Sequence, residues 1–311
     1  MERVRAAAAA CPSKAFRTKD GGVKIWMTRN LNWNGGPEIG AMKLGSRLVP
    51  AYSGSATSGG YDPQDPYIER NPAYDEEESG GSVKGDQVVT DRHGRLYTLD
   101  EILLGTPAGG LGRGITSIEW PSAYNVGSTF VDAVGTQITA RVFKSAEMKA
   151  VTDDERFFAE NPALSAQIQG ICPYGWHVAN VQDFYDMLCA AAAAKGVTPN
   201  PLSAMIGKWS VPDVLRSAEG WSAAPTRHAA ADAFGFDFFP QGRRLFKSGY
   251  QYYASRGEMF ICHPGGLSSG VYQCWRINAL TNNAADLTVS TTYNIGDCSA
   301  SFRCVKNYEN F

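Results

Sequence analysis

The chain has little charge and no long hydrophobic run, and these two absences limit the kinds of protein that it can be. Charged residues make up 19% of the 311 residues, the formal net charge is −2, and the pI is near 6.1. A charge balance of this kind predicts no basic patch for nucleic acid or for an anionic membrane surface. No run of about 18 apolar residues occurs, so no membrane insertion is expected. The composition indicates a globular protein.

The motifs of common catalytic and metal sites are also missing. There is no GxSxG elbow, no HExxH and no CxxC pair. None of the four histidines has metal-ligand spacing to another histidine or to a cysteine pair (His93, His177, His228 and His263). The acidic run at 75–78 is contiguous, unlike the spaced ligands of a calcium loop. We therefore expect no enzyme activity, no catalytic residue, no metal site and no cofactor.

The amino terminus lacks the features of a secretory signal. Met1–Arg5 are followed by five alanines, without the Leu-rich or Ile-rich apolar core of such a signal. No signal peptide is predicted, and the compartment stays unassigned.

The seven cysteines permit disulfides without defining them (Cys11, Cys172, Cys189, Cys262, Cys274, Cys298 and Cys304). Cys262 with Cys274, and Cys298 with Cys304, are the suggestive groupings. Two nearby thiols can bind copper(I) or form a redox pair. They can equally form an ordinary disulfide or stay buried, and these alternatives remain open at this point.

The chain is instead rich in glycine and aromatic residues, which is typical of a turn-rich fold with aromatic packing. It contains 33 Gly, 14 Tyr, 14 Phe and 7 Trp. A turn at Asp20–Gly22 precedes a predicted strand at Val23–Asn30. Asn180 is a predicted helix N-cap with Asp183 in the first turn, and Gly196 ends that helix. A second short helix is predicted at Val211–Ser217.

The last forty residues alternate apolar side chains with Asn, Thr, Ser and Tyr, which indicates short strands and polar turns. Alternation at Phe234, Phe236 and Phe238 predicts another strand. Asn and Tyr side chains offer adaptable hydrogen bonds and contact area at low entropic cost, as in antibody paratopes. The residues about 272–300 are therefore a predicted ligand-binding surface, with these contacts: Tyr272, Trp275, Arg276, Asn278, Asn282, Asn283, Tyr293 and Asn294.

Six short stretches, in order, resemble the Fibrobacter succinogenes major paralogous domain family. They span residues 23–306 apart from two insertions, and Thr28, Arg29 and Ala179 depart from the family pattern. The stretches are Val23–Leu31 (family W-M-A-E-N-L), Gly94–Thr98 (G-R-L-Y-T), Cys172–Val178 (C-P-x-G-W-H-V), Leu215–Ser217 through Trp221, Phe234–Phe236 through Arg244, and Ser301–Lys306 (S-V-R-C-V-K).

The resemblance implies an α+β, C-type-lectin-like fold with mostly antiparallel short strands, about two helices and long irregular insertions. The expected organisation is an N-terminal tail at 1–15 and one domain at 16–311, with loop insertions at about 34–86 and 105–165. In such a fold the first and last strands pair, which would place Val23–Asn30 beside Ser301–Lys306. Cys172 and Cys304 both belong to family motifs and are the disulfide pair that the resemblance implies.

The chain also resembles the variable proteins of diversity-generating retroelements, whose hypervariable segment lies at the C-terminal end of such a fold. The resemblance implies a non-catalytic, adhesin-like protein that binds a protein or carbohydrate ligand on a cell or phage surface. It implies a location on a phage particle or bacterial surface and leaves room for a structural calcium ion. The alternative is a copper-dependent thiol oxidase, similar to formylglycine-generating enzymes, that uses Cys298 and Cys304. The oligomeric state is not predicted.

Overall fold

A computed structural model describes residues 12–30, 127–141, 143, 145–170, 172–173, 175–218, 232–240, 243–245, 249–251, 256–261, 275–281, 287–291, 298–299 and 301–308. The strands in these ranges are β1 (Ser13–Arg17), β2 (Val23–Met27), β3 (Thr129–Val131), β4 (Gln137–Thr139), β5 (Trp176–Val178), β6 (Gly207–Trp209), β7 (Arg243–Leu245), β8 (Gly249–Gln251), β9 (Arg256–Ile261), β10 (Trp275–Thr281), β11 (Leu287–Thr291), β12 (Cys298–Ser299) and β13 (Cys304–Lys306). The helices are α1 (Ser145–Lys149), α2 (Asp154–Glu160), α3 (Val181–Lys195) and α4 (Pro212–Leu215), with 3-10 turns at Pro162–Leu164 and Leu202–Ala204. This mixture of helices and antiparallel sheets is an α+β fold, as predicted.

The first sheet brings the two ends of the described chain together, in the order β1-β2-β13-β5. β1 and β2 form a hairpin around the Asp20–Gly22 turn, with Phe16 opposite Lys24. β13 lies between β2 and β5, with Val305 opposite Trp26 on one side and opposite His177 on the other. The predicted pairing of the Val23–Asn30 and Ser301–Lys306 segments is therefore confirmed.

The second sheet has the order β6-β11-β10-β9 and contains strands from the C-terminal part of the chain. All its strand pairs are antiparallel. β9 and β10 change register between Asn278 and Leu280, which is the signature of a β-bulge. A third sheet, β12-β7-β8, and the hairpin β3-β4 complete the described strands.

The longest described helix, α3, has the ends that the sequence predicts. Asn180 is its N-cap, and its side chain and that of Asp183 form a reciprocal capping box. Gly196 ends the helix in the left-handed conformation, with φ of 76°. The helix buries Phe184, Leu188 and neighbouring residues in the core. None of the described helices is long and apolar enough to cross a membrane.

The core packs α3 against the first sheet through aromatic side chains. The Trp26 ring lies 5.5 Å from the Phe236 ring and 6.4 Å from the Phe184 ring, between centroids. Trp209 and Phe302 are also buried. Rings at these separations bury large areas and add favourable edge contacts.

The expectation of about two helices is wrong, because the described residues contain four α-helices. α3 and α4 correspond to the helices predicted after Asn180 and at Val211–Ser217. The sequence also predicts a polar helical segment around Asp153–Glu160, and α2 confirms it. α1 has five residues, too few turns for a clear periodic pattern in the sequence.

One boundary also differs from the expectation. The tail is expected to include residues 13–15, but β1 begins at Ser13 and pairs along its length with β2. Within the insertion at 105–165 the sequence predicts strands at Thr129–Val134 and Gln137–Phe143, and the β3-β4 hairpin confirms them. Asp132 stabilises that hairpin, since its side chain accepts hydrogen bonds from the backbone nitrogens of Val134 and Thr136.

The strand predicted at Phe234–Phe238 is also corrected. Phe234, Phe236 and Phe238 are buried, but their backbone forms a turn, and only Phe238 makes an isolated bridge, to Arg216. The left-handed φ angles of Asp232, Gly235 and Asp237 bend the chain there. Alternating aromatic residues are thus buried here from a turn, and the sequence pattern alone does not distinguish a turn of this kind from a strand.

Candidate functional site

The predicted ligand-binding surface at 272–300 is centred on β10, an interior strand of the second sheet. Trp275, Arg276 and Asn278 lie on this strand. The other predicted contacts lie outside the described residues: Tyr272, Asn282, Asn283, Tyr293 and Asn294. The structure therefore brings three of the eight predicted residues into one element.

The register of the sheet divides β10 into two alternating sets of positions, since neighbouring residues of a strand belong to opposite faces. Trp275 pairs with Ile261, and Ile277 pairs with Met259 and Val289. Met259, Ile261 and Val289 are all buried in the core. The Trp275 and Ile277 positions therefore belong to the core-side register of the sheet.

Arg276 and Asn278 occupy the alternate register, which is more polar. Arg276 pairs with Phe260 of β9 and with Ser290 of β11. Asn278 pairs with Thr288, which in turn pairs with Lys208 of β6. Thr288 is partly exposed and Lys208 is exposed. At the β9 edge the same register ends in Glu258, which is buried. A polar row of Glu258, Asn278, Thr288 and Lys208 therefore runs across the sheet and becomes more exposed towards β6.

Close packing fixes the strand that precedes the predicted surface. Gly257 of β9 lies so close to Phe238 that an added Cβ would be 2.5 Å from ring carbon Cε1 of Phe238 and 3.0 Å from the carbonyl oxygen of Phe239. Ser301 Oγ donates a hydrogen bond to the carbonyl oxygen of Glu258, at 2.8 Å. β9 thus contacts both the turn at Phe234–Phe238, which we call the aromatic turn, and Ser301, which follows the predicted surface.

Arg303 fixes the chain on the other side of the predicted surface. Its fully buried guanidinium donates from Nε to Asn30 Oδ1 at 2.9 Å, from Nη2 to the carbonyl oxygen of Asp237 at 2.7 Å, and from Nη1 to the carbonyl oxygen of Phe236. It also lies 4.3 Å from the centroid of the Phe236 ring. The Arg303 side chain therefore connects the residues that follow β12 to Asn30, which follows β2, and to the aromatic turn.

Cys304 and Cys172 are joined by a disulfide, the pair that the family motifs implied. Both residues are fully buried, and 132 positions of sequence separate them. Cys298 lies on β12, opposite Leu245 of β7. Cys189 is buried as a free thiol in α3, and burial raises its pKa to about 12. A thiol with so high a pKa is a poor nucleophile at neutral pH.

A cluster of buried polar residues, which the sequence analysis did not predict, lies where β2, β5, α3 and the last residues meet. Asp183 is its centre and is fully buried. Its Oδ1 lies 2.9 Å from Lys24 Nζ and accepts a hydrogen bond from Tyr308 Oη at 2.8 Å. Its Oδ2 lies 2.9 Å from His177 Nε2 and accepts a hydrogen bond from the backbone nitrogen of Asn180 at 3.0 Å. We call Lys24, His177, Asp183 and Tyr308 the buried polar cluster.

Secondary contacts complete this cluster. Lys24 Nζ lies 2.8 Å from Asp186 Oδ2 and 4.5 Å from the centroid of the Tyr308 ring. His177 Nδ1 lies 3.0 Å from Asn307 Oδ1. The backbone of Tyr308 is held as well, because its nitrogen donates to Gln167 Oε1 at 2.8 Å and its carbonyl accepts from Gln167 Nε2 at 2.5 Å.

The charges of the cluster compensate one another. Burial by itself would raise the pKa of Asp183, but Lys24 and His177 hold that pKa well below its usual range. Burial would lower the pKa of Lys24, but Asp183, Tyr308 and Asp186 keep it well above its usual value. Burial raises the pKa of Tyr308, and the Asp183 carboxylate raises it further. The Asp183 and Lys24 charges therefore persist at neutral pH, and Tyr308 stays a neutral donor.

The buried polar cluster connects elements of the fold, because its carboxylate and imidazole are fully buried and contact residues of β2, α3 and the last described segment. The sequence carried a partial signal, since His177 lies in a family-like motif and Asp183 in the capping box. Lys24 and Tyr308 gave none, because they are 284 positions apart. Within the described ranges, no three His, Cys, Asp or Glu side chains come together as metal ligands.

Comparisons of the chain with protein-family models, with curated proteins and with solved structures found no match.

Proposed function

We propose that the chain is a non-catalytic ligand-binding protein whose residues 272–300 present a recognition surface on a C-type-lectin-like scaffold. The observation that carries the proposal is the position of β10. It is an interior strand of a sheet, and one register of its residues pairs with the core while the other belongs to a polar row. In such a strand, the side chains of the polar register can change while those of the core-side register stay the same.

Residues of three of the six family-like motifs support the scaffold part of the proposal. Trp26, Cys172, His177, Arg303 and Cys304 are all fully buried. They form the pairing of β2, β5 and β13, the disulfide and the Arg303 contacts. Residues with these roles are needed for the fold whatever the ligand, which is what a common scaffold under a variable surface requires.

The register sharpens which residues we propose as contacts. Asn278 lies in the polar row and Arg276 in the neighbouring row of the same register, and both are proposed to meet the ligand. Trp275 is proposed to support the sheet from the core-side register. Arginine and asparagine combine charge with adaptable hydrogen bonds, which suits a protein or carbohydrate ligand on a cell or phage surface. Tyr272, Asn282, Asn283, Tyr293 and Asn294 stay in the proposed surface on sequence grounds.

The alternative, a thiol oxidase with Cys298 and Cys304 as copper ligands, is less well supported. Cys304 is bonded to Cys172, so its sulfur offers no thiolate for copper(I). Titration of the reduced protein with copper(I) discriminates between the two functions. Stoichiometric binding that requires both Cys298 and Cys304 would support the oxidase.

A matched pair of variants tests the recognition surface. The variant Arg276→Ala/Asn278→Ala should leave the melting temperature within a few degrees of the unchanged protein, because surface substitutions cost about 0.5 kcal/mol or less each. The variant Ile277→Asp should unfold the domain, because it puts a charge at a core-side position. If the double alanine variant loses its cooperative unfolding, the polar row is part of the core and the proposal fails.

The gene itself offers a second test. A nearby near-copy of the DNA that encodes 272–300, differing at adenines and adjacent to a reverse transcriptase gene, is expected for a diversified segment. An intact locus without such a copy would remove the diversification from the proposal.

A further inference from the structure

The last described strand, β13, occupies an interior position of the first sheet although it comes at the end of the described chain. It pairs with β2 through Val305 and Trp26, and with β5 through three residue pairs. Val305 is fully buried. Without β13, the edges of β2 and β5 would face each other across an empty strand position, with their backbone hydrogen-bonding groups unsatisfied.

The contacts around β13 are of three additional kinds. Arg303 donates to Asn30 and to the aromatic turn, Cys304 is bonded to Cys172, and Tyr308 joins the buried polar cluster. Their partners come from residues far apart in the sequence, before and after the long 31–126 stretch. We call residues 301–308 the closing segment.

The buried polar cluster depends on the closing segment in particular. Tyr308 Oη contacts Asp183 Oδ1, Asn180 Nδ2 and Lys24 Nζ at 2.8, 3.3 and 3.2 Å. Without Tyr308, the fully buried Asp183 would lose one donor, and Lys24 would lose the ring beside it. An incompletely satisfied buried charge is costly, so the cluster favours the complete chain over a shortened one.

We propose that the closing segment makes the fold of the whole domain conditional on complete, in-frame translation through residues 272–300. A stop codon or frameshift in that stretch removes β13, Arg303, Cys304 and Tyr308 together, and the chain then fails to assemble its first sheet. Substitutions that keep the frame leave the closing segment intact. This inference rests on the proposed function only in regarding 272–300 as the variable part. Only chains that are translated in frame through residues 272–300 therefore fold, whatever the side chains in that stretch.

A truncation series tests the proposal. Chains that end after Tyr308, after Lys306 and after Ala300 are compared with the full chain by thermal unfolding followed by near-ultraviolet circular dichroism. The first should unfold as the full chain does, because it keeps every contact of the closing segment. The second should melt roughly 5–15 °C lower, because it keeps β13 but loses Asn307 and Tyr308, which contact His177 and Asp183. The third should show no cooperative transition.

Two full-length variants separate the loss of specific contacts from mere shortening. Val305→Asp puts a charge at a buried interior position of β13 and should abolish cooperative unfolding. Lys306→Asp changes the neighbouring exposed position of the same strand and should melt within a few degrees of the unchanged protein. A cooperative transition near the normal temperature in the chain ending after Ala300, or in Val305→Asp, would overturn the proposal.

An in-frame control distinguishes this inference from the proposed function. Shuffling the five residues 282–286 without changing their number keeps the closing segment, so cooperative unfolding should persist. If the shuffled chain unfolds while the truncations behave as expected, the proposed recognition surface is wrong and the closing segment stands. If the shuffled chain folds and the chain ending after Ala300 folds equally well, the closing segment is wrong and the recognition surface stands.

Discussion

Asp183 performs two tasks with one carboxylate. It caps α3 through the backbone nitrogen of Asn180, and it neutralises Lys24 from β2. Its Oδ2 accepts the hydrogen bond from Asn180, and its Oδ1 contacts Lys24. One carboxylate therefore connects the beginning of α3 to the first sheet. This explains why a fully buried acid persists here although burial disfavours its charge.

Replacing Asp183 by asparagine should destabilise the protein by about 3–5 kcal/mol, because Lys24 then loses a buried carboxylate partner. Equilibrium unfolding in guanidinium chloride measures the loss. Asp186→Asn is the matched control, since Asp186 also contacts Lys24 but its side chain is 15% exposed. Its effect should be clearly smaller. Equal effects of the two substitutions would contradict the central place given to Asp183.

The same residue predicts a dependence of stability on pH. The folded protein holds the pKa of Asp183 below its value in the unfolded chain, about 4. The stabilisation from Asp183 is therefore fully present above about pH 4 and is lost as pH falls further, when the unfolded chain binds the proton more readily.

Asp186 contributes in the opposite direction, because burial raises its pKa despite Lys24. The comparison of the unchanged protein with Asp183→Asn isolates the Asp183 term. Unfolding free energies measured from about pH 2 to pH 6 should fall less steeply towards acid in the variant. Parallel curves would show that Asp183 does not carry the pH dependence.

At the scale of single elements, the sequence predicts helix ends correctly where they depend on residues close together in the chain. Asn180 and Gly196 mark the ends of α3 because a side-chain cap and a left-handed glycine act within a few residues. The buried polar cluster was not predictable in this way, since Lys24 and Tyr308 meet only after the sheet has formed. The segment Phe234–Phe238 has the alternating apolar pattern of a strand, but its backbone is bent by left-handed residues. Its aromatic side chains are buried all the same, so the pattern does not distinguish this turn from a strand.

The end of α3 offers an element-scale prediction. Gly196→Ala should cost about 1 kcal/mol, because alanine disfavours a φ of 76° while no atom lies within 4 Å of the added Cβ. Gly196→Asn should cost less, since asparagine tolerates the left-handed region better. Urea unfolding of both variants gives the comparison. A larger cost for asparagine would show that packing and not backbone conformation controls this position.

Gly257 in β9 should respond differently, because its limit is space. Gly257→Ala places a Cβ against the Phe238 ring and should cost about 1–3 kcal/mol. Adding Phe238→Leu to the same chain should recover part of that loss, because a smaller side chain relieves the contact. A double-mutant cycle by thermal unfolding measures the recovery, and strictly additive effects would contradict a direct clash.

For the molecule as a whole, the Cys172–Cys304 disulfide closes the largest covalent loop that the structure describes. Replacing both cysteines by alanine should cost about 2–5 kcal/mol, because the unfolded chain regains the freedom that the loop removes. The reduced unchanged protein should approach the stability of the double variant. Cys189→Ala is the control, since that thiol is free, and it should leave the response to reductant unchanged.

The disulfide also determines how the domain would carry mechanical tension. Force applied to the chain before Cys172 and after Cys304 passes directly through the sulfur–sulfur bond, which joins these two points covalently. The 131 residues between them, including β9, β10 and β11, form a loop outside this covalent path. Tension between those two points of the chain is therefore not transmitted along the backbone of the strands that carry the proposed surface.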